Sequence, residues 1–354
     1  MKTHTIRSGQ PWLNSALSDG LLILSMPFLS LVLVSFFPDQ FKVSSAMPVE
    51  YWVVLVVFID VAHVYSTLYR TYFKAETLQK QHALLVSVPL FCYFFGVLLY
   101  HLDSFLFWRV LAYLAVFHFI RQQYGFMRLY SRTENNGKLS RLIDAVTIYT
   151  ATLYPMLYWH FGEVRNFNWF MADDFVYFPS KALATISLYL YLIVIFVYVL
   201  KELNLAIQNR QINIPRNLLI IGTFLSWYFG IIYFNGDMAF TTLNVISHGI
   251  PYMALIWFFE RNEHQQLIRH RNLMSRLAFG KYGLVFFILV ILLLAYLEEG
   301  LWDGLVWKEH ASVFSFFSSL PQVHDVNILT MLIPLLALPQ STHYVLDGFI
   351  WKRR

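Results

Sequence analysis

The stretch ISLYLYLIVIFVYVL, from Ile186 to Leu200, is almost wholly apolar and indicates the fold class. A helix needs about 20 apolar residues to cross the hydrocarbon core of a bilayer. The same character extends along the chain, because 58% of its 354 residues are hydrophobic and 13% are charged, whereas soluble domains carry about 25% charged residues. The mean hydropathy is +0.52. We therefore predict an all-α, polytopic membrane protein whose helices form a bundle.

Ten apolar segments are long enough to be transmembrane helices. They are residues 20–37, 50–70, 82–100, 104–128, 142–162, 181–201, 216–235, 239–259, 281–297 and 326–349. When the connections are assigned alternately to two sides, one side holds 20 of the 26 Lys and Arg residues. Cytoplasmic loops carry such a basic excess, so the pattern predicts ten spans with both termini in the cytoplasm. We expect a multi-pass protein of the inner (plasma) membrane.

The whole chain, residues 1–354, is predicted to form a single transmembrane domain. Its longest connection on the less basic side, residues 298–325, holds Trp and Phe among polar residues, which predicts an interfacial helix. The basic residues lie in separate loops, which argues against a nucleic-acid partner. Cys92 is the only cysteine, so internal disulfides and Cys-based zinc or iron–sulfur sites are excluded. Walker and dinucleotide-binding fingerprints are absent from the sequence.

Four histidines lie within predicted spans, and each has a polar residue one helical turn away. The pairs are His63 with Asp60, His118 with Gln122, His248 with Asn244, and His343 with Asp347. Ionisable side chains are costly in hydrocarbon and usually face the bundle interior. At 1.5 Å per residue, all four histidines lie about 10–18 Å from the predicted cytoplasmic boundary. Residues that meet at one point must share a depth, so we predict that the four imidazoles converge.

Convergent imidazoles predict a metal site, because imidazole is the commonest protein ligand for transition metals. A ligating histidine usually donates its second N–H to a carboxylate or a carbonyl. Asp60 and Asp347 are carboxylates that would either orient a histidine or bind the metal directly. We predict that the metal ligands are His63, His118, His248, His343 and Asp347.

Three further residues are predicted to act on the substrate: Asp60, Arg121 and Tyr252. Arg121 lies within a span, where it would balance the carboxylates or hold a polar end of the substrate. Tyr252, together with Tyr124, would line the pocket. Proline and glycine beside two of the histidines predict kinks where the backbone faces a cavity; they are Pro339, Gly249 and Pro251.

Other interpretations of the histidines stay open from the sequence. A single membrane histidine more often makes an interhelical hydrogen bond than ligates a metal. Two of the four could be axial ligands of a haem. Asp60, His63 and Asp347 could instead line a proton or ion pathway, as in a proton- or ion-coupled transporter.

The chain also resembles the bacteriorhodopsin-related (Brp/Blh) family of membrane carotene dioxygenases. The resemblance lies in four short stretches around the histidines: residues 62–65 (AHVY), 117–120 (FHFI), 246–249 (ISHG) and 342–347 (THYVLD). The resemblance implies single histidines on separate helices around a non-haem iron, and oxidative cleavage of a polyene. Tyr252 stands where the family's third motif carries a second histidine.

Together these features predict a membrane oxygenase or related oxidoreductase that uses histidine-bound Fe(II). Imidazole with nearby carboxylate suits iron, and thiolate ligands are absent. The expected partners are dioxygen, membrane lipid and a lipid-soluble substrate, which is an isoprenoid, a carotenoid-like polyene or a fatty-acyl chain. The substrate would enter sideways from the bilayer.

Overall fold

The structure, a computed structural model, describes residues 9–209, 211–266 and 273–351. The described residues form helices, turns and irregular segments, and no strand is found among them, which confirms the all-helical prediction. In chain order the helices are α1 Ala16–Leu24, α2 Met26–Ser35, α3 Gln40–Val43, α4 Val49–Arg70, α5 Ala75–Lys80, α6 His82–Leu102, α7 Ser104–Tyr130, α8 Lys138–Phe161, α9 Lys181–Asn209, α10 (214–233), α11 Asp237–Gln266, α12 Leu273–Phe279, α13 Gly283–Trp307, α14 Val326–Leu336 and α15 Leu338–Ile350.

Polar side chains fix where several long helices begin. The Asp103 carboxylate accepts a hydrogen bond from Phe105 N at the start of α7, and Asp325 does the same for two N–H groups at the start of α14. Asn213 caps α10, and a proline follows in the first turn, where its missing N–H costs nothing. The caps satisfy amide groups that the helix itself leaves without partners.

Among the described residues, six helices are long and apolar enough to cross a membrane: α4, α6, α7, α9, α11 and α13. The count rises to eight when each of two bent helix pairs is taken as one span. The predicted spans 142–162 and 216–235 are helical as α8 and α10 but are not among these eight, so the number ten is not confirmed. Residues 1–8 and 352–354 lie outside the described part of the chain, and the cytoplasmic location of both termini stays a prediction.

Prolines accompany both bent pairs. The pair α1 and α2 bends by 47° and has Pro27 in the first turn of α2. The pair α14 and α15 bends by 41° and has Pro339 in the first turn of α15, close before His343. A proline ring cannot continue the helix that precedes it. The predicted kink at Pro339 is therefore present, whereas α11 continues through Pro251 to Gln266.

The segment 298–325 differs from the prediction. The helix that begins at Gly283 does not end near residue 297 but continues to Trp307, with a π-helical stretch at its end. Glu298 and Glu299 therefore lie within α13 rather than in a loop. Between Lys308 and Asp325 the chain forms turns and irregular structure where we predicted an interfacial helix.

Helix α11 lies at the centre of the bundle. Its most apolar 18-residue window is 72% buried, against 17% for α9 at the periphery. It packs against α1, α2, α4 and α10. A polar helix of this kind is stable in the bundle only when neighbouring helices surround it, so its side chains face protein rather than lipid.

Buried ion pairs connect α8, α9 and α10 at one end of the bundle. This is the basic end, where the Lys- and Arg-rich loops of the predicted cytoplasmic side lie. Arg216, whose side chain is 1% exposed, contacts Glu134 at 2.6 Å, Asp144 at 3.4 Å and also Glu202. Lys201 contacts Asp144 and Glu202. Removing one partner of a buried ion pair leaves an uncompensated charge, which costs far more than losing an exposed pair.

We therefore expect Arg216→Met to lower the free energy of unfolding by about 3–5 kcal/mol. The matched variant Lys80→Met breaks an exposed pair with Glu76 and should cost less than about 0.5 kcal/mol. Unfolding in mixed detergent, followed by circular dichroism, measures both. Equal effects of the two substitutions would show that the Arg216 network does not hold α8, α9 and α10 together.

Candidate metal centre

The four predicted histidines converge within the bundle. They are carried by α4, α7, α11 and α15, and each is 1–2% exposed. Ring centroids lie 4.7 Å apart for His63 and His248, 4.4 Å for His118 and His343, 5.0 Å for His63 and His343, 5.1 Å for His118 and His248, and 6.4 Å for His63 and His118. We call this group the histidine centre. The shared depth expected from the sequence thus corresponds to a shared location.

Two pairs of ring nitrogens approach closely. His63 Nε2 lies 3.1 Å from His248 Nε2, and His118 Nε2 lies 3.1 Å from His343 Nε2. Nitrogens of His63, His118 and His343 all lie within 4.8 Å of one another. Two nitrogens bound to one ion at about 2.0–2.1 Å, with an angle near 90–109° between them, lie about 2.8–3.4 Å apart. The spacing within each pair therefore fits neighbouring ligands of one metal ion, and the trio that is compact enough to share an ion consists of His63, His118 and His343, with His248 beside it.

The outer nitrogens of the rings have unequal partners. Thr67 Oγ1 lies 2.7 Å from His343 Nδ1 and is hydrogen-bonded to it. Carboxylate oxygens of Asp60 and Asp347 lie 3.6 Å from Nδ1 of His63 and of His118 respectively. Neither distance is a hydrogen bond, and both of these Nδ1 atoms and that of His248 have no hydrogen-bond partner in the described structure. Carboxylates beside Nδ1 suit histidines that bind a metal through Nε2, because the ligating ring donates its other N–H.

Three of the four predicted histidine partners are wrong. Asp347 faces His118 on another helix, and Thr67 takes its place beside His343. The Gln122 amide donates to the His248 carbonyl, and the Asn244 amide donates to the Phe240 carbonyl. Only Asp60 lies beside its predicted histidine. The helical spacing of three or four residues brings side chains to one face but does not decide which helix they contact.

The predicted substrate-directed residues lie in different places. The Tyr252 hydroxyl donates to Asp347 Oδ1 at 2.8 Å and lies 3.2 Å from Thr67 Oγ1, so this residue belongs to the immediate surroundings of the histidines. Arg121 donates to the Tyr149 hydroxyl and lies over the Tyr124 ring. Its positive charge acts on Asp347 through space, and no direct hydrogen bond or salt bridge between the two is described.

A hydrogen-bonded network closes the histidine centre on the side that faces the basic end of the bundle. Trp351 Nε1 donates to Asp347 Oδ1 at 2.8 Å, beside the bond from Tyr252. The Arg70 guanidinium lies 4.3 Å from the Trp351 ring and donates to Glu260 at 2.7 Å. A charged and aromatic layer of this kind fills the space between the histidines and that end of the bundle.

Close helix packing brings His63 and His248 together. Gly249 lies on α11 where a Cβ atom would come 2.9 Å from Ile59 Cγ2 and 3.1 Å from the Ile59 carbonyl oxygen on α4. The nine-residue π-helical stretch Val53–Val61 of α4 includes Asp60 and ends two residues before His63. Such stretches occur frequently at functional sites. On the other side, the Phe119 ring stacks on His248 with centroids 3.5 Å apart.

A cavity of about 550 Å³ opens beside the centre, at the end opposite the Arg70 network. Its inner lining comes from residues within four positions of each histidine, namely Asp60, Val61, Phe119, Asn244, Val245 and Gln340. The Asp60 side chain is one-third exposed there. Tyr252 and Tyr124 do not line this cavity, so the pocket differs from the one we predicted.

The loop that closes the cavity, residues 168–172, is held by one carboxylate. Asp174 Oδ2 accepts hydrogen bonds from the N–H groups of Trp169, Phe170 and Met171. Burial raises the pKa of Asp174 above its ordinary value, although these N–H groups act in the opposite direction. The carboxylate thereby fixes the aromatic side chains of the loop over the cavity.

Sequence reasoning missed Thr67, Trp351 and the cavity walls. Thr67 follows His63 by four residues, and Trp351 follows Asp347 by four, so the spacing used for the other partners could have found both. The cavity walls could not be found in this way, because they come from six separate stretches of the chain.

Comparisons of the chain with protein-family models, with curated proteins and with solved structures found no match. The likeness to the Brp/Blh family therefore stays a prediction from four short motifs. The functional argument depends on the geometry of the centre.

Removing a predicted ligand should remove the metal. We expect elemental analysis of the detergent-purified protein to find stoichiometric metal in the wild type and little in His63→Ala or His343→Ala. His101→Ala, which changes an exposed histidine, is the matched control and should retain the metal. Full metal content in both centre variants would eliminate the metal site.

The approach of α4 and α11 should matter as much as the ligands themselves. Gly249→Ala keeps all four histidines but inserts a methyl group against Ile59, which should destabilise the protein by about 1–3 kcal/mol and lower its metal content. Gly125→Ala, where a Cβ atom meets no atom within 4 Å, should change neither. Thermal unfolding and elemental analysis of the two variants test this, and unaltered metal content in Gly249→Ala would contradict it.

Proposed function

We propose that this protein is an integral-membrane oxygenase in which His63, His118, His248 and His343 bind ferrous iron and act on a lipid-soluble substrate. The observation that supports this most directly is the pair of 3.1 Å Nε2 separations among buried rings from four helices. An interhelical hydrogen bond explains either pair alone, whereas the meeting of four rings from four helices at one place is the arrangement that a shared metal ion needs. The proposal extends to a multi-pass location in the plasma membrane with both termini in the cytoplasm.

The donor set favours iron among the candidate metals. Imidazole binds iron, zinc, copper and nickel, whereas the thiolates that favour zinc or copper(I) are missing from the centre. The carboxylates of Asp60 and Asp347 would orient the histidines as hydrogen-bond acceptors of their Nδ1–H groups. Four nitrogen ligands leave coordination positions free. When bound, iron would supply the activation of dioxygen.

The stoichiometry of the reaction favours cleavage of a polyene. Addition of dioxygen across one carbon–carbon double bond gives two carbonyl groups, and both oxygen atoms enter the products. The step needs no external reductant. Hydroxylation or desaturation of an acyl chain needs a reductant as well, and the sequence has no dinucleotide fingerprint. Acyl and other isoprenoid substrates stay within the proposal, but the polyene is the simplest fit.

The chain's own residues would bind the substrate and control protons. The substrate would reach the centre through the cavity beside Asp60 and Phe119, where aromatic rings exclude water. The Asp347 carboxylate, which accepts hydrogen bonds from Tyr252 and Trp351, would hold His118 in one orientation. Tyr252 is thus a positioning residue in this scheme, and Arg121 donates a hydrogen bond to the Tyr149 hydroxyl.

The contacts between the rings argue against haem. A haem with two histidine ligands lies between its axial rings, which must leave room for a flat macrocycle. Here the four rings contact one another, with the nearest centroids 4.4–5.1 Å apart. An ion-coupled transporter is the other alternative, and the packed layer of Tyr252, Trp351 and Arg70 blocks a direct path from the centre to the basic end.

Purified protein distinguishes these functions. We expect metal analysis to find non-haem iron without a strong visible haem band, and reconstituted protein to consume dioxygen in a stoichiometric ratio with a polyene such as a carotenoid. Incorporation of labelled oxygen from dioxygen into carbonyl products measures the reaction directly. His343→Ala should lose oxygen uptake, whereas His101→Ala should keep it. An intense haem spectrum, or iron-loaded protein that oxidises no lipid-soluble substrate, would refute the proposal.

A further inference from the structure

The cavity beside the histidine centre has an unusual lining, which we call the acid-aromatic cavity. Nine aromatic rings from Phe and Trp line it, five of them tryptophans: Trp52, Trp108, Trp169, Trp302 and Trp307. Five carboxylates line it as well: Asp60, Asp237, Glu299, Asp303 and Glu309. Its lining, which consists entirely of described residues, includes no Lys or Arg. The wall therefore offers acidic side chains and ring faces, with no Lys or Arg among them.

One wall is built from three tryptophans. The rings of Trp108, Trp302 and Trp307 lie 5.8–6.1 Å apart, centroid to centroid, so they form one continuous aromatic surface. Glu299 and Asp303 lie on the same helix, one turn before and one residue after Trp302 respectively. A cation over the face of an indole ring is attracted by the ring's quadrupole, and a nearby carboxylate adds to that attraction.

Two buried oxygen atoms among the cavity-lining residues have no hydrogen-bond partner in the described structure. Asp303 Oδ2 is one, although Oδ1 of the same carboxylate accepts from the N–H groups of Glu309 and His310. Asn244 Oδ1 is the other. Both residues are 3% exposed. Buried acceptors of this kind usually have a partner, and a ligand in the cavity would provide one.

The arrangement is unsuited to an inorganic ion. Among the described residues, His63, His118 and His343 are the one group of three or more possible ligands whose donor atoms lie close enough to chelate a metal. The cavity carboxylates are thus too dispersed to surround a metal ion. The volume of about 550 Å³ suits an organic ligand, because binding pockets for small molecules typically span about 300–1,000 Å³ and are largely aromatic.

We propose that the acid-aromatic cavity binds an amphiphilic organic cation, whose ammonium group lies against Glu299, Asp303 and the tryptophan wall and whose apolar part extends along Phe119 toward the histidine centre. This inference rests on the proposed function in one respect: the unsaturated, apolar part of the cation would be the lipid-soluble chain that the centre oxidises. The binding itself does not need the metal, so the two ideas can fail separately.

A phospholipid headgroup also carries an ammonium group, but it carries a phosphate close by. The lining has no Lys or Arg to pair with that phosphate, and its acidic side chains disfavour a second negative group beside them. The cavity therefore selects a ligand with net positive charge. A zwitterionic headgroup should bind poorly.

Isothermal titration calorimetry in a non-ionic detergent tests the selection. The probes are hexyldimethylammonium, whose charged nitrogen keeps one N–H donor, hexyldimethylamine N-oxide as a neutral match of similar shape, hexylphosphocholine as the zwitterionic match, and Mn²⁺ as an inorganic cation. We expect the ammonium probe to bind on the order of tenfold more tightly than the N-oxide or the phosphocholine. Equal affinity for the three organic probes, or saturable displacement of the ammonium probe by Mn²⁺, would overturn the proposal.

Variants locate the site. Glu299→Gln and Trp307→Ala should each weaken binding of the ammonium probe by about tenfold, since one removes a carboxylate and the other a ring that is 40% exposed and tolerates truncation. Glu50→Gln removes an exposed carboxylate outside the cavity and should leave the affinity unchanged. Thermal unfolding of each variant verifies its fold. Unchanged affinity in both cavity variants would refute the assignment.

His343→Ala separates this inference from the oxygenase proposal. It should lose iron and still bind the ammonium probe, because its side chain is not part of the cavity lining. Binding without iron or oxygen uptake in the wild type would uphold the cavity and refute the oxygenase. Iron-dependent oxygen uptake without ammonium binding would uphold the oxygenase and refute the cation.

Discussion

The structure depends on one constraint: an imidazole in an apolar bundle needs polar partners for its nitrogens. Four helices meet this need together, because the rings of His63, His118, His248 and His343 supply Nε2 neighbours for one another. The convergence requires α11 to be surrounded by other helices, and it requires glycine at position 249 where α4 approaches. The extensive burial of α11 thus follows from the need of the imidazole nitrogens for polar partners.

The centre is asymmetric along the bundle axis. Toward the basic loops, Asp347 is held by Tyr252 and Trp351, and the Arg70 guanidinium covers the Trp351 ring. On the other side, Asp60 lines a cavity with carboxylates and aromatic rings. One end therefore holds the histidines in position, while the other opens into the cavity. The histidines thus have a hydrogen-bonded support on one side and an adjoining cavity on the other.

Some of this could be predicted from the sequence. Apolar runs indicated the helices, and equal depths in separate spans indicated the meeting of the histidines. The partners were largely mispredicted, because periodicity defines a face of one helix whereas Asp347 reaches His118 across an interface. The end of α13 was missed because acidic residues at 298 and 299 resemble a loop, although they line or adjoin a polar interior. The cavity depends on tertiary packing and leaves no local pattern.

The order of the four histidines along the chain has a biosynthetic consequence. Three of the histidines are present once residue 248 has been made, but the fourth comes from α15, beyond the bend at Pro339. A growing chain therefore holds an incomplete polar cluster in the bilayer until its last hairpin inserts. A metal held by all four rings would therefore bind only after α15 has joined the bundle, and a chain that ends before residue 343 would leave His118 without its Nε2 neighbour.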